Sequence, residues 1–269
     1  MIPMIEPVAE LMAEVAAEII MPRFQKLAAH EVSEKGPGDL VTIVDTEAEH
    51  RIAARLLDLV PGSRVVGEEG ASADPSVLAA LAGDDPVWLI DPLDGTQNFA
   101  NGKACFATII AYCVKGEIIA GWIGDPIAKT IAWAVRGEGA WSRGAALRVS
   151  RTPIAKMTGS VGSKTRRHIE GVRTSGRGDT PAKLLRYACV GREYLELAKG
   201  SFHFAQYAGR LKPWDHAAGV LIHAEAGGYG RLVEGATPYS PARGIFEGPL
   251  RLAPDEASWR TLHSILPSY

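Results

Sequence analysis

The run Asp91-Pro92-Leu93-Asp94-Gly95-Thr96 sets two carboxylates three residues apart across a turn stiffened by proline. Carboxylates so spaced can converge on one point. A hard divalent cation such as Mg²⁺ takes several oxygen ligands, carboxylates and backbone carbonyls among them. If Gly95 and Thr96 open a helix, their N–H groups offer a seat for a phosphate. Metal and phosphate side by side is the arrangement phosphoryl transfer uses. Read alone, the segment is also an ordinary turn, since Asp-Pro and Asp-Gly are common turn pairs and Asp is a good helix cap. Three other acidic places stand near element ends. Glu68-Glu69 follows Val65-Val66-Gly67, Asp215 sits in Trp214-Asp215-His216-Ala217-Ala218-Gly219 at a helix start, and Asp39 to Asp45 forms a strand-to-helix junction with Asp45 as the cap. Each of these taken singly reads as a solvated loop or an N-cap.

Elements that can position these acids follow from periodicity. Val8 to Phe24 is amphipathic, with Leu11, Met12, Val15, Ile19 and Ile20 opposite Glu10, Glu14 and Glu18, which predicts a first helix. Lys35-Gly36-Pro37-Gly38 predicts a turn, and Asp45 to Leu59 a second helix closed by Pro61-Gly62. Arg64–Val66 and the apolar Val87–Ile90 predict strands that run into the acidic segments, the second stopping at Asp91-Pro92. Phe106 to Val114, Ile118 to Trp122 and Ile131 to Val135 predict further strands, with a turn-rich connection from Gly137 to Gly144. Beyond Ser150 the expected strands are Ser160–Gly162, Leu184 to Val190, Phe202 to Phe204 and Gly228 to Leu232. A basic loop or, as the other reading, a solvated helix start is expected over Ser163–His168, and Ala217 to Ala226 predicts a helix opened by Trp214-Asp215. The pattern is sheets covered by helices.

Composition limits the classes of function. The 269 residues are 46% hydrophobic and 22% charged, with formal net charge −2, the make-up of a globular chain with a full core. A nucleic-acid binder more often carries a strong positive balance, so nucleic acid is not an expected partner. Cys105, Cys113 and Cys189 have no CxxC spacing and read as reduced core thiols of a cytoplasmic protein. No run reaches the 18 or so apolar residues of a membrane span, and the start lacks a signal-peptide pattern. The ligand candidates come from separate segments, which argues against a Ca²⁺-binding loop.

Taken together and in order, GEE, DPLDGTQNF and WDHAAG, preceded by DLVTIVD, resemble the inositol monophosphatase family over residues 35 to 219. The resemblance implies an α+β fold, a layered αβαβα sandwich of the sugar-phosphatase type. It divides the chain into 1–148, carrying most metal ligands, and 149–269, closing the site with Asp215 as one compact unit. It implies a Mg²⁺-dependent phosphomonoesterase acting on small phosphorylated alcohols, inositol monophosphate-like, by metal-activated water. Two or three Mg²⁺ ions, lithium sensitivity and a homodimer belong to the same expectation. Carried over residue by residue, Glu68, Asp91 and the Leu93 carbonyl hold the first metal; Asp91, Asp94 and Asp215 hold the second. Glu68 and Thr96 accept and orient the proton of the attacking water, and Asp45 holds the Thr96 hydroxyl. Asp94, Gly95 and Thr96 contact the substrate.

Two features bear on the substrate. Relatives that recognise an inositol ring place a glutamate several residues before the Trp-Asp pair. Here no acidic residue occurs from Leu197 to Trp214; that stretch offers His203, Gln206, Arg210 and Lys212. Cations prefer a carboxylate or a second phosphate, so Arg210 is a candidate substrate contact. Ser163 is another, with the basic Lys164–His168 behind it where relatives place a substrate-side loop. Fructose 1,6-bisphosphate, 3′-phosphoadenosine 5′-phosphate and histidinol phosphate stay open as alternative substrates. A regulatory binding protein acting on transcription machinery stays open as an alternative function. Lys35 lies near a loop lysine of relatives, with a solvated position as the other reading.

Overall fold

A computed structural model of the chain describes residues 5–36, 38–176 and 179–268. The amphipathic start folds as α1 (Ile5–Val15), a π turn (Ala16–Ile20) and a last short turn, α2 (Met21–Arg23). The π turn inserts one residue and leaves Ile19 and Ile20 both in the core with Leu11, Met12 and Val15. A hairpin of β1 (Val32–Gly36) and β2 (Asp39–Thr42) leads into α3 (Ile43–Leu59). Lys35 and Gly36 are therefore strand residues, not the expected turn, and Pro37 lies outside the described residues.

The first sheet carries most of the acidic segments. Its strands are β3 (Arg64–Gly67), β4 (Val87–Asp94), β5 (Ala107–Val114), β6 (Glu117–Asp125), β7 (Thr130–Val135), β8 (Ala140–Ser142) and β9 (Ala145–Ala146), in that spatial order. The pair β3–β4 is parallel and every later pair antiparallel. Short helices α4 (Glu68–Ala73) and α5 (Thr96–Ala100) follow β3 and β4. All eight residues of β4 are buried, because the sheet is covered on both faces: Trp88 and Ile90 pack towards α1 and α3, Val87 and Leu89 towards the opposite layer.

The second sheet has the order β11 (Lys183–Leu185), β10 (Thr158–Val161), β12 (Phe204–Tyr207), β16 (Leu250–Ala253), β14 (Tyr229–Leu232). A small hairpin pairs β13 (Arg210–Leu211) with β15 (Phe246–Glu247). Helices α7 (Val190–Ala198) and α8 (Pro213–Glu225) lie between the two sheets. On the far side α6 (Ser163–Ser175) and α9 (Glu256–Ile265) pack through Ile169, Trp259 and Leu262. The layers therefore read αβαβα, as the resemblance implied, and the central core cluster draws side chains from both parts of the chain.

Two local expectations fail for identifiable reasons. The apolar run 184–190 holds only a short strand, because Cys189 is the N-cap of α7 and Val190 is already helical. The strand expected at Phe202 to Phe204 starts at Phe204 instead and runs to Tyr207. The basic segment after Ser163 takes the second of its two readings: it is a helix start, the first turn of α6, with Thr165 and Ile169 buried beneath it.

Candidate metal and phosphate site

Parallel pairing sets Gly67 opposite Ile90, so Glu68 and Asp91 leave the first sheet side by side at its carboxyl edge, where open α/β sheets bind ligands. The ladder between β4 and β5 slips between Asp91 and Asp94, and the Thr108 hydroxyl holds the Pro92 carbonyl at 3.0 Å. Asp91 Oδ1 accepts the Leu93 N–H at 3.1 Å. Gly95 then turns the chain at φ +87°, where a Cβ would stand 3.0 Å from the Cys105 carbonyl oxygen, so the position needs glycine.

Asp94 is gripped from across the molecule. Its Oδ2 accepts the Gly191 N–H at 2.5 Å and the Cys189 thiol at 3.1 Å. Asn98 ties the same two segments together, its amide donating to the carbonyls of Cys105, Tyr187 and Ala188 at 2.9 to 3.1 Å. Asp215 arrives from α8. Lys212 is the N-cap of that helix and Pro213 its first residue, so Asp215 lies inside the first turn and does not serve as the cap. A cavity of about 170 Å³ is lined by Glu68, Asp91, Leu93, Asp94, Gly95, Thr96 and Asp215, with Lys212 at its edge.

Asp45 stands behind that cavity. The N-cap of α3 is Thr42, not Asp45 as expected; Asp45 is the third helical residue and closes a capping box. Its Oδ2 accepts the Thr42 N–H and hydroxyl at 2.8 and 2.6 Å. That leaves Oδ1 2.9 Å from the Thr96 hydroxyl, which stands equally 2.9 Å from the Leu93 carbonyl. Burial raises the Asp45 pKa to about 6, against the lowering effect of the Thr42 and Thr96 hydrogen bonds.

Crowding of like charge marks the site. Burial, then the charges of Glu68 and the neighbouring carboxylates, raise the pKa of Asp91 and Asp215, with Lys212 opposing the shift at Asp215. Asp94 is raised by burial and partly held back by Cys189 and Gly191. The donor set fits Mg²⁺: four carboxylates and one carbonyl, all hard oxygens, whose mutual repulsion a divalent cation would relieve. As the side chains stand, no trio of His, Cys, Asp or Glu among the described residues is drawn into ligand geometry. Glu68 Oε1 lies 2.7 Å from Lys212 Nζ and 3.6 Å from Lys35 Nζ, while Lys35 also meets Glu69 at 2.9 Å. Lys35 is thus ion-paired with Glu68 and Glu69 and is not a solvated residue. Burial works against the charged form of Lys212, but Glu68 and Asp215 overcome it and raise its pKa.

The expected substrate contacts separate. Arg210 is exposed and lines a second cavity that adjoins the first through Asp215. Ser163 is exposed at the first residue of α6 and lines neither cavity; Ser160 and Gly162 do. Gln206 also lines the second cavity, its Oε1 accepting from Arg251 at 2.6 and 2.8 Å. Sequence reasoning missed Glu49, whose carboxylate accepts the Glu69 and Gly70 N–H groups at 2.8 and 2.7 Å and so fixes the loop carrying Glu68. Its i,i+4 spacing from Asp45 on one helix face was the available signal. Glu193, buried in the second cavity, carried none.

Comparison with known proteins agrees with this geometry. The family model described as the inositol monophosphatase family matches residues 3–265. A fructose-1,6-bisphosphatase/inositol-1-monophosphatase of Aquifex aeolicus is 31% identical over 232 residues, 84% of each chain. The Nus factor SuhB of Pseudomonas aeruginosa is 35% identical over 224 residues, 80% of each chain. Among solved structures, a Thermotoga maritima IMPase superposes with a TM-score of 0.79 at 27% identity, covering 96% of this chain and 94% of that one. An IMPase/NADP phosphatase solved with Mg²⁺ and phosphate shares the fold, with a TM-score of 0.81 at 19% identity over 98% and 95% of the two chains. The chain belongs to the inositol monophosphatase family.

Proposed function

We propose that the protein hydrolyses phosphate monoesters of small alcohols with Mg²⁺. As a member of its family the chain is a phosphoric monoester hydrolase. The observation that carries the metal and substrate reading is one cavity uniting Glu68, Asp91, Leu93, Asp94 and Asp215 with the backbone of Gly95 and Thr96. Glu68, Asp91 and the Leu93 carbonyl would hold one ion, and Asp91, Asp94 and Asp215 would hold a second. Bound Mg²⁺ supplies charge neutralisation at phosphorus and a lowered pKa for the attacking water. The chain does the rest. The Thr96 hydroxyl, fixed between Asp45 and Leu93, orients the water, and Glu68 accepts its proton. The N–H groups of Gly95 and Thr96 hold phosphate oxygens in place.

A second reading has support in one relative's name, the Nus factor of Pseudomonas aeruginosa: a regulatory binding role beside or instead of catalysis. The phosphatase reading carries with it a cytoplasmic homodimer. The chain's three cysteines are unpaired, and among the described residues no helix is long and apolar enough to cross a membrane.

The test is phosphate release from inositol 1-phosphate, fructose 1,6-bisphosphate, 3′-phosphoadenosine 5′-phosphate, histidinol phosphate and glycerol 2-phosphate, with Mg²⁺ and with chelator. Asp94→Asn removes charge where the reaction uses it, and kcat should fall at least about 100-fold. Near-normal turnover by folded Asp94→Asn at saturating Mg²⁺ would sink the metal assignment. Absence of release from every substrate, with binding to a transcription complex, would favour the second reading.

A further inference from the structure

Two of the three cysteines meet behind Asp94. Asn98 ties together two segments that are distant in sequence, its amide donating to the carbonyls of Cys105, Tyr187 and Ala188. That brings Cys105 up against Cys189, and both crowd the Gly95 turn. A Cβ at Gly95 would stand 3.0 Å from the Cys105 carbonyl oxygen and 3.2 Å from Cys189 Cβ. The two thiols are reduced and hydrogen-bonded to one another. Sulfurs already in contact need only a short approach to reach a disulfide bond of roughly 2.05 Å.

Their surroundings give the pair an order of reaction. Cys105 is half-buried, whereas Cys189 is 1% exposed, so a small oxidant meets Cys105 first. The hydrogen bond from Cys189 lowers the Cys105 pKa; burial opposes that shift and the charge of Arg192 adds to it. A lowered pKa favours the thiolate, the form of cysteine that attacks oxidants. Cys113 is the contrast, since it is buried away from this pair and burial pushes its thiol up to about 12.

We propose that Cys105 and Cys189 are a reversible oxidation site, which a peroxide closes to a disulfide, and that closure takes the Cys189 hydrogen bond away from Asp94. The Cys105 sulfur attacks one peroxide oxygen and the O–O bond breaks. The departing hydroxide combines with the thiol proton as water and leaves a sulfenic acid on Cys105. The Cys189 sulfur then attacks that sulfur; the S–S bond forms as the S–O bond breaks, and a second water leaves with the Cys189 proton. The two thiols lose two electrons and one peroxide gains them. In the reduced chain, Asp94 Oδ2 is held by the Cys189 thiol and the Gly191 N–H at 3.1 and 2.5 Å. A disulfide sulfur has no hydrogen to donate, so of these two partners the carboxylate keeps only Gly191. The chemistry at sulfur stands on the geometry of the thiols; its effect on turnover rests on the phosphatase reading above.

Peptide mass mapping of the full chain after hydrogen peroxide should find Cys105 and Cys189 joined, two hydrogens lighter, with Cys113 still free. Dithiothreitol should reverse the change. Phosphate release at saturating Mg²⁺ should fall about ten-fold on closure, the effect of losing one hydrogen bond to a charged group, and recover with dithiothreitol. Cys105→Ser should match reduced wild type in kcat and ignore peroxide, while Cys113→Ser should keep the wild-type response. Peroxide that leaves all three thiols free, or that joins Cys105 only to a second copy of the chain, overturns the site. A disulfide between Cys105 and Cys189 that leaves kcat unchanged overturns the link to Asp94. The same disulfide in a chain that, when reduced, releases no phosphate from any ester upholds the thiol pair and overturns the phosphatase reading.

Discussion

Adding one methyl group at Gly67 tests whether Glu49 fixes the loop that carries Glu68. Gly67 lies in extended backbone, at φ −98° and ψ 163°, so alanine meets no backbone strain there and the whole effect is steric. A Cβ would stand 2.3 Å from Glu49 Cδ and 2.5 Å from each carboxylate oxygen, about 1 Å inside ordinary contact. Glu49 has little room to retreat. It is 8% exposed, and both its oxygens are committed to the Glu69 and Gly70 amides. Overpacking costs about 1–3 kcal/mol, and hydrogen bonds to a charged acceptor are worth about 1.5–3 kcal/mol each. Gly67→Ala should therefore destabilise by about 3 kcal/mol. Glu49→Ala, which forfeits the two amide bonds but also unburies a carboxylate, should cost a similar amount. Because both changes act on the same atoms, the double variant should fall short of the sum by at least about 1 kcal/mol. Urea unfolding of wild type, both single variants and the double variant measures the cycle. Additive costs, or a Gly67→Ala as stable as wild type, would refute the packing argument. A drop in kcat for Gly67→Ala should accompany the instability, since Glu68 is the next residue.

Asp45→Asn keeps a carbonyl oxygen for the Thr42 cap and turns its amide towards Thr96, so the Thr96 hydroxyl loses its acceptor on that side. Unfolding should stay within about 1 kcal/mol of wild type while kcat falls about 100-fold, the lower end of the range for a positioned proton-transfer group. Lys212→Gln frees Glu68 from a pair worth about 1 kcal/mol, so Mg²⁺ binding measured by calorimetry should tighten roughly five-fold; unchanged or weaker binding would count against competition between ammonium and metal. His223 is fully buried on α8 with neither ring nitrogen partnered, and burial lowers its pKa to about 4. Its unfolded value is about 6.5, so the unfolded chain binds the proton first. Stability is fully present above pH 6.5 and is lost as pH falls towards 4, by roughly 3 kcal/mol. His223→Leu should flatten that acid branch in urea unfolding, and an unchanged slope would rule out His223 as its source.

What was legible in the sequence was the set of acids whose position follows from strand ends. Asp91 and Asp94 follow an apolar strand and precede a glycine that only a turn explains, and Glu68 follows its parallel neighbour. Local pattern carries that information because a strand aims the residue that follows it. The seven-strand order of the first sheet was nearly readable too, since each strand pairs with the next in sequence. The second sheet was not. Its order, β11-β10-β12-β16-β14, depends on long connections, and the run 184–190 looks like a strand until Cys189 is seen to cap a helix.

Residues that act through distant partners left the faintest traces. Lys212 precedes a helix by one position, and nothing local says that Glu68, 144 residues away, is its acceptor. Cys189 looks like a core thiol, and it is buried, but its environment is the carboxylate of Asp94. Glu49 and Glu193 sit on helices among polar neighbours, where an acid ordinarily means a wet face; each is buried because a backbone amide from another segment needs its oxygen. A buried carboxylate with no cation near it is costly, so both persist in this chain only where the geometry they impose outweighs that cost. For Glu49 that geometry is the direction of Glu68. For Glu193 it is the wall of the second cavity, so the two residues the sequence concealed most completely hold the walls of two cavities that meet at Asp215.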